Sequence, residues 1–183
     1  MSDFEFQPWP KISRLKTNIV TITEKIDGTN ACVVIKDGKV VGAQSRNKII
    51  TRTDDNMGFA NWVWDNHEAL ATLGDGYHFG EWAGPGIQKN PHCLDNKYFF
   101  LFDTRRWDYL EHCEAHKICR IVPRIYVGDF VTVEELCYPE EAKTVLIKEG
   151  VANGNEDSNP EGFMYYFHAF RTHLKAPIRK ADK

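Results

Sequence analysis

The segment Ala31–Lys36 (ACVVIK) is largely β-branched, stops at Asp37-Gly38 and returns through Val40–Ser45 (VVGAQS), so this part of the chain is committed to a β-hairpin. Just upstream, Ile19–Lys25 (IVTITEK) alternates apolar and polar residues, as a strand with one covered face does. Further strands are expected at Tyr77–Glu81, Lys97–Asp103 and Phe163–Ala169. Phe59, Trp62, Val63, Asn66, Leu70 and Leu73 fall near helical spacing with Gly74 as a stop, and Val133–Leu136 and Glu140–Lys148 also read as helical. Strands dominate and helices are inserted singly, without βαβ alternation. The expected class is therefore α+β with antiparallel sheets.

A chain of 183 residues, 42% of them hydrophobic, can bury a core without staples. It has no internal repeat, heptad run or low-complexity tract, and its one extended loop-like stretch, Ala152–Pro160, separates motifs without marking a boundary, so residues 1–183 are expected to form one domain. The formal charge of −3 argues against a whole-surface nucleic-acid coat but allows a local basic groove. No stretch approaches the roughly 20 apolar residues of a membrane helix, and MSDFEFQPWP lacks a signal-peptide pattern, so a soluble intracellular protein is expected. Five cysteines (Cys32, Cys93, Cys113, Cys119, Cys137), an odd number at irregular spacing, suit reduced thiols.

The chemistry concentrates in a few places. Thr23–Ala31 (TEKIDGTNA) sets Lys25 at the end of a strand, two residues before Asp27-Gly28, where glycine permits a positive φ or a close backbone approach. A lysine acts as a nucleophile only when its pKa of about 10.4 is brought down by desolvation or neighbouring cations. Alone, such a lysine reads as a surface residue beside a turn. It has company in Arg46 within QSRNK, in Glu81 beside the Gly-Pro-Gly turn of FGEWAGPGIQKN, and in Glu161-Gly162 ahead of FMYYF. Tyr98, Phe100 and Phe102 of YFFLFD share one strand face, whose default role is core. Trp62, Trp64 and Trp107 read as packing residues, and Trp82, next to Glu81, as a candidate border of a pocket. His112, Cys113, His116 and Cys119 in EHCEAHKIC are too crowded for an ordinary tetrahedral zinc site and read as helix residues.

In this order the motifs EKIDGTN, SR, FGEWAGPGIQKN, FFLFD, EGF and the lysine of HLK resemble the covalent nucleotidyltransferase superfamily of DNA ligases, RNA ligases and capping enzymes. The likeness runs from Ile19 to Lys175 and is strongest, through GPGIQ, to the RNA ligase 2 group of bacteriophage enzymes. It implies a ligase adenylation domain, a nucleotidyltransferase (ATP-grasp-like) fold of two antiparallel sheets with flanking helices and the nucleotide between them. It implies an ATP-dependent RNA ligase in which Lys25 attacks the α-phosphate and holds AMP, which then passes to an RNA 5′-phosphate before a 3′-hydroxyl seals the strand. The same resemblance implies that Glu24 fixes the adenine end through its backbone, that Asn30 supports the phosphate, and that Arg46 contacts ribose, phosphate or the RNA 5′ end. Glu81 would bind the ribose hydroxyls, Phe102 would stack on adenine, Glu161 would act on Mg²⁺ or Mn²⁺ through water, and Lys175 would contact the α-phosphate and depress the Lys25 pKa. Its setting would be the cytoplasm of a phage-infected bacterium.

Two departures stand out. The superfamily's last motif has two lysines one residue apart, but Pro177 occupies the second place, with Arg179 and Lys180 beyond it. Only eight residues follow Lys175, so the separate C-terminal domain of RNA ligase 2 enzymes has no counterpart; either a minimal core suffices or an accessory protein supplies RNA binding. From Arg171 to Lys183 there are five basic residues and one acid, a stretch that reads as a solvated tail or as an RNA phosphate contact. Two alternatives remain open: a nucleic-acid-binding module on a degenerate ligase fold, and a DNA ligase or capping-type nucleotidyltransferase.

Overall fold

The computed structural model describes residues 14–108, 110–130 and 139–178; the expected helix at Val133–Leu136, together with Cys137, Arg179, Lys180, Asp182 and Lys183, lies outside them. In chain order the elements are β1 (Ile19–Glu24), β2 (Thr29–Lys36), β3 (Lys39–Ser45), β4 (Ile49–Ile50), α1 (Phe59–Asp65), α2 (His67–Ala71), β5 (Gly76–Ala83) and β6 (Tyr98–Leu101). Two 3-10 turns, Leu110–His112 and Glu114–Lys117, precede β7 (Cys119–Ile121), β8 (Arg124–Asp129), α3 (Pro139–Glu149), β9 (Gly162–Phe167) and β10 (Thr172–Pro177). The strands form two sheets, one ordered β10-β9-β1-β8 and the other β4-β3-β2-β5-β6-β7. All pairs are antiparallel except β6 with β7, a departure from the wholly antiparallel expectation. The α+β class with two antiparallel-rich sheets stands.

Alternation along the strands assigns each sheet a helix-covered face. In the first sheet Val20, Ile22, Phe163 and Tyr165 pack with Ala142 and Leu146 of α3. In the second, Ala31, Val33, Ile35, Trp82, Phe99 and Leu101 pack with Phe59, Ala60 and Val63 of α1 and Leu70 of α2. The expected single helix over 59–73 is broken at Asn66, whose backbone leaves the helical region and whose Nδ2 caps the Trp62 carbonyl at 2.8 Å. Gly74 ends the run with φ +79°.

The chain crosses between the sheets at two adjacent places. Residues 25–28 lead from β1 to β2. At the second crossing, Val122 N–H donates to Leu101 of β6 (3.1 Å) and the Pro123 carbonyl accepts from Glu24 N–H of β1 (3.0 Å). Ile26 and Val122 share an apolar cluster with Ala83 and Phe100. A Cβ on Gly28 would lie 2.4 Å from the Trp82 carbonyl oxygen, so of the two uses open to this glycine the close approach is the real one, and it is made to β5.

Cys32 and Cys119 are buried free thiols, their pKa values pushed up by burial to about 11 and about 12. Among the described residues no three His, Cys, Asp or Glu side chains converge on a metal-sized point, the EHCEAHKIC stretch included. No described helix is long and apolar enough to cross a membrane.

Leu146 is fully buried between α3 and the first sheet. Leu146→Ala should cost about 2–5 kcal/mol, read as a lowered midpoint in urea unfolding; an unchanged midpoint would mean that α3 does not hold this sheet.

Candidate active site

Lys25, Asn30 and Glu81 lie on the sheet faces left open by the helices. At the end of β1 the Lys25 N–H donates to the Gly162 carbonyl at 2.8 Å, which holds Lys25 beside β9 although it lies one residue past its own strand. Its Nζ is ion-paired with Glu161, and both side chains are about one-fifth exposed (22% and 21%). Across the junction, Asn30 of β2 stands opposite Glu81 of β5, and its Nδ2 donates to Glu81 Oε2 at 3.3 Å. Glu81 in turn stands opposite Phe100 of β6. Four elements thus bring Lys25, Asn30, Glu81 and Glu161 to one place.

The electrostatics of Glu81 follow from this proximity. Burial pushes the Glu81 carboxyl up from its ordinary 4.5 to about 7; the Asn30 amide, Lys25 and Arg46 pull it down, and Glu161 pushes it up. Arg46, exposed just beyond β3, is therefore within electrostatic reach of the same carboxyl. A carboxyl near pH 7 can be kept as a hydrogen-bond donor as well as an acceptor.

Of the aromatic stripe, Phe100 is buried and Tyr98 is covered by the Arg120 guanidinium, 3.9 Å from its ring centroid. Phe102 remains open at 41% exposure, just past β6, where its N–H donates to the Phe79 carbonyl at 3.1 Å. Alternation puts Phe102 on the face of Glu81, so it can offer a ring to a base at the rim. Trp82 does not border the pocket. It is buried with Phe59, Trp62 and Phe99 on the helix-covered face, and its Nε1–H donates to the Met57 carbonyl at 3.1 Å.

Lys175 lies on β10 in the row Lys175, Met164, Thr23, hence on the Lys25 face of the first sheet but two strand spacings, about 10 Å, from β1. The charge touching Lys25 is the Glu161 carboxylate, not Lys175. Pro177 stands opposite Gly162, in the row that Lys25 extends. The second place of the two-lysine pattern is thus a non-donor in the row beside Lys25.

Glu24, whose expected role runs through its backbone, also has a buried side chain with partners of its own. Its side chain is 1% exposed, with Oε2 accepting from the Val151 N–H at 2.6 Å and Oε1 3.2 Å from His92 Nδ1. His92 Nε2 accepts from the Asp27 N–H at 2.8 Å. No spacing rule connects His92 or Val151 with Lys25, so neither was legible in the sequence. A metal is a different case. A cluster of protein ligands is not what Mg²⁺ or Mn²⁺ would need beside a triphosphate, since Mg²⁺ keeps its waters and takes one or two carboxylates with substrate oxygens. The partly exposed Glu161 beside Lys25 fits that use.

A family model, RNA ligase, matches residues 18–172. The chain belongs to the RNA ligase family. The fold agrees with solved structures of the Naegleria gruberi RNA ligase. A mutant with AMP and Mn is 20% identical with a TM-score of 0.63, over 89% of this chain and 50% of that one. A mutant with ATP and Mn is 19% identical with a TM-score of 0.61, over the same shares of 89% and 50%. The same ligase with PPi is 18% identical with a TM-score of 0.60, over 87% and 49%. The chain therefore spans about half the length of those proteins. A search of curated proteins gave no match.

The raised Glu81 value makes a pH prediction for this RNA ligase family member. Between 4.5 and about 7 the folded chain keeps a proton that the unfolded chain has lost. The stability tied to that proton is full below 4.5 and is lost as the pH rises through about 7. Glu81→Gln should therefore show a flatter dependence of melting temperature between about pH 5 and about pH 7.5. Equal slopes in the two proteins would contradict the burial of this carboxyl.

Proposed function

We propose that the chain is an ATP-dependent RNA ligase whose residues 1–183 act as one adenylation domain, with Lys25 as the nucleophile. The observation that carries this reading is the convergence of Lys25, Asn30, Glu81 and Glu161 where the two sheets meet. Lys25 Nζ attacks the α-phosphorus of ATP, the bond to the β-phosphate breaks, and pyrophosphate leaves. The Glu161 carboxylate paired with Lys25 holds the amine at the junction before ATP binds. Asn30 and Arg46 hold phosphate oxygens, the latter through a planar fork that lysine cannot copy.

Glu81 holds the ribose hydroxyls, Phe102 stacks on the base, and Glu24 fixes the adenine end through its backbone. Lys175 approaches the α-phosphate from β10. When bound, Mg²⁺ or Mn²⁺ offsets charge developing on the phosphates, with Glu161 as its carboxylate. AMP then passes to an RNA 5′-phosphate and a 3′-hydroxyl closes the strand with release of AMP. The ATP, AMP, PPi and Mn held by the Naegleria gruberi ligase support the use of a nucleotide and a divalent metal. The FGEWAGPGIQKN segment favours the RNA ligase 2 group of bacteriophages, and with it the cytoplasm of an infected bacterium. An accessory protein is a further candidate source of RNA contacts. Pro177, a non-donor in the row of Lys25 with Gly162 between them, favours one competing reading, a nucleic-acid-binding module on a degenerate site.

Incubation with Mg²⁺ and ATP labelled on the α-phosphate should leave a labelled band that Lys25→Ala abolishes. Phe102→Ala should weaken ATP binding by about 1–3 kcal/mol, the worth of one base stack. RNA binding that Lys25→Ala leaves unaltered, with no covalent AMP in the wild type, would replace this reading by the binding module.

A further inference from the structure

Three consecutive non-glycine residues, Gln88, Lys89 and Asn90, have positive φ (45°, 60° and 52°), and Cys93 follows at 52°. Left-handed backbone of this kind is disfavoured for residues with a Cβ and persists only where its surroundings fix it. The segment is fixed from three sides. Ile87, 1% exposed, anchors it in the core under the second sheet. Asn90 closes a turn on Leu94, its Nδ2 donating to the Leu94 carbonyl (2.8 Å) and its Oδ1 accepting from the Leu94 N–H (3.1 Å). The Pro91 carbonyl accepts from the Asn159 N–H at 2.7 Å and the Ser158 hydroxyl at 3.3 Å, which ties the segment to the approach of Glu161.

The product of these constraints is the placement of His92. Its ring is 2% exposed. Because Nε2 accepts the Asp27 N–H, that nitrogen carries no proton, and the tautomer is set with hydrogen on Nδ1. Nδ1 lies 3.2 Å from Glu24 Oε1, off the ideal line of a hydrogen bond, and neither atom has another partner among the described residues. Glu24 is anchored in its turn by the Val151 N–H. A Cβ on Gly150 would lie 2.5 Å from Glu24 Oε2, so a glycine before Val151 lets the backbone close over the carboxylate.

We propose that His92 is a positioning residue for Lys25: oriented by Glu24, it holds the Asp27 amide and thereby fixes the turn that follows the nucleophile. Lys25 is held by its own N–H at Gly162 on one side, and two residues later the chain is held by His92 on the other. With both ends of Lys25-Ile26-Asp27 pinned, the amine keeps one approach to the α-phosphorus. A misplacement of about 1 Å in such a group costs about 100-fold in rate. The assignment rests on the reading of Lys25 as the group that takes AMP. It explains why a strained loop stands in the FGEWAGPGIQKN extension, since that loop delivers a buried acceptor to the nucleophile's turn.

Two substitutions separate the ring's two contacts. His92→Gln can keep an acceptor near the Nε2 position, whereas His92→Asn can keep only a donor near Nδ1. Single-turnover AMP transfer to Lys25 and ATP affinity should be measured for both, with amide hydrogen exchange at Asp27. His92→Gln should stay within about 3-fold of wild type, and His92→Asn should lose about 100-fold in rate at unchanged ATP affinity and unprotect the Asp27 amide. If His92→Asn fails to fold, the isosteric Glu24→Gln, which leaves the Glu24 backbone in place, should give the same slow transfer. Equal rates for wild type and His92→Asn, or equal losses in both variants, would overturn the proposal. A wild type that forms no adduct would instead defeat the reading of Lys25, and the Asp27 exchange would still decide whether His92 holds the turn.

Discussion

Everything in this structure is organised around the junction where the chain passes twice between its sheets. Residues 25–28 carry β1 into β2, and Val122-Pro123 carries β7 into β8, with hydrogen bonds to β6 on one side and β1 on the other. Ile26 and Val122 fill the space between the crossings with Ala83 and Phe100. Gly28 makes the crossing tight, because any larger residue would meet the β5 backbone. Lys25 and Asn30 are thereby held at opposite sides of a junction only a few residues long. Groups carried on packed strands are placed more narrowly than groups on free loops.

The division of faces follows from strand alternation and from where the helices lie. Each sheet buries one face under helices, so Val20, Ile22, Val33 and Phe99 supply apolar burial at about 25 cal/mol per Å². The opposite faces are free to carry Lys25, Asn30, Glu81 and Phe102. Two acids are nevertheless taken out of water, Glu81 on its open face and Glu24 on the covered face of β1 that it shares with Val20 and Ile22. Glu81 responds by holding its proton to about 7, and Glu24 by collecting the Val151 N–H and the His92 ring. Buried polar groups of this kind weaken a fold unless partnered. Their concentration at one junction sets the candidate site apart from ordinary core.

The hairpin of β2 and β3 was legible because β-branched residues and an Asp-Gly turn are local signals, and β9 was legible for similar reasons. The paired β8 and β10 were not, since RIYVGD and THLKAP carry no clean alternation; their pairing comes from β1 and β9 beside them. The helix expected over 59–73 breaks at Asn66, whose backbone leaves the helical region while its N–H and its Nδ2 both donate to the Trp62 carbonyl. Lys25, Glu81, Arg46 and Glu161 stood out through motif order. Trp82 misled because adjacency to Glu81 in a strand means the opposite face.

The sequence by itself determined the α+β class, the hairpin at Asp37-Gly38 and the ordered motifs that carry Lys25, Glu81 and Glu161, because side-chain type and short-range spacing suffice for those. Tertiary structure alone decided which of them meet. It paired Lys25 with Glu161, 136 positions away in the chain, placed Lys175 two strands off, and brought His92 to the Asp27 amide. The physical reason is that these contacts arise from sheet register and the two crossings, and neither is encoded in any single segment.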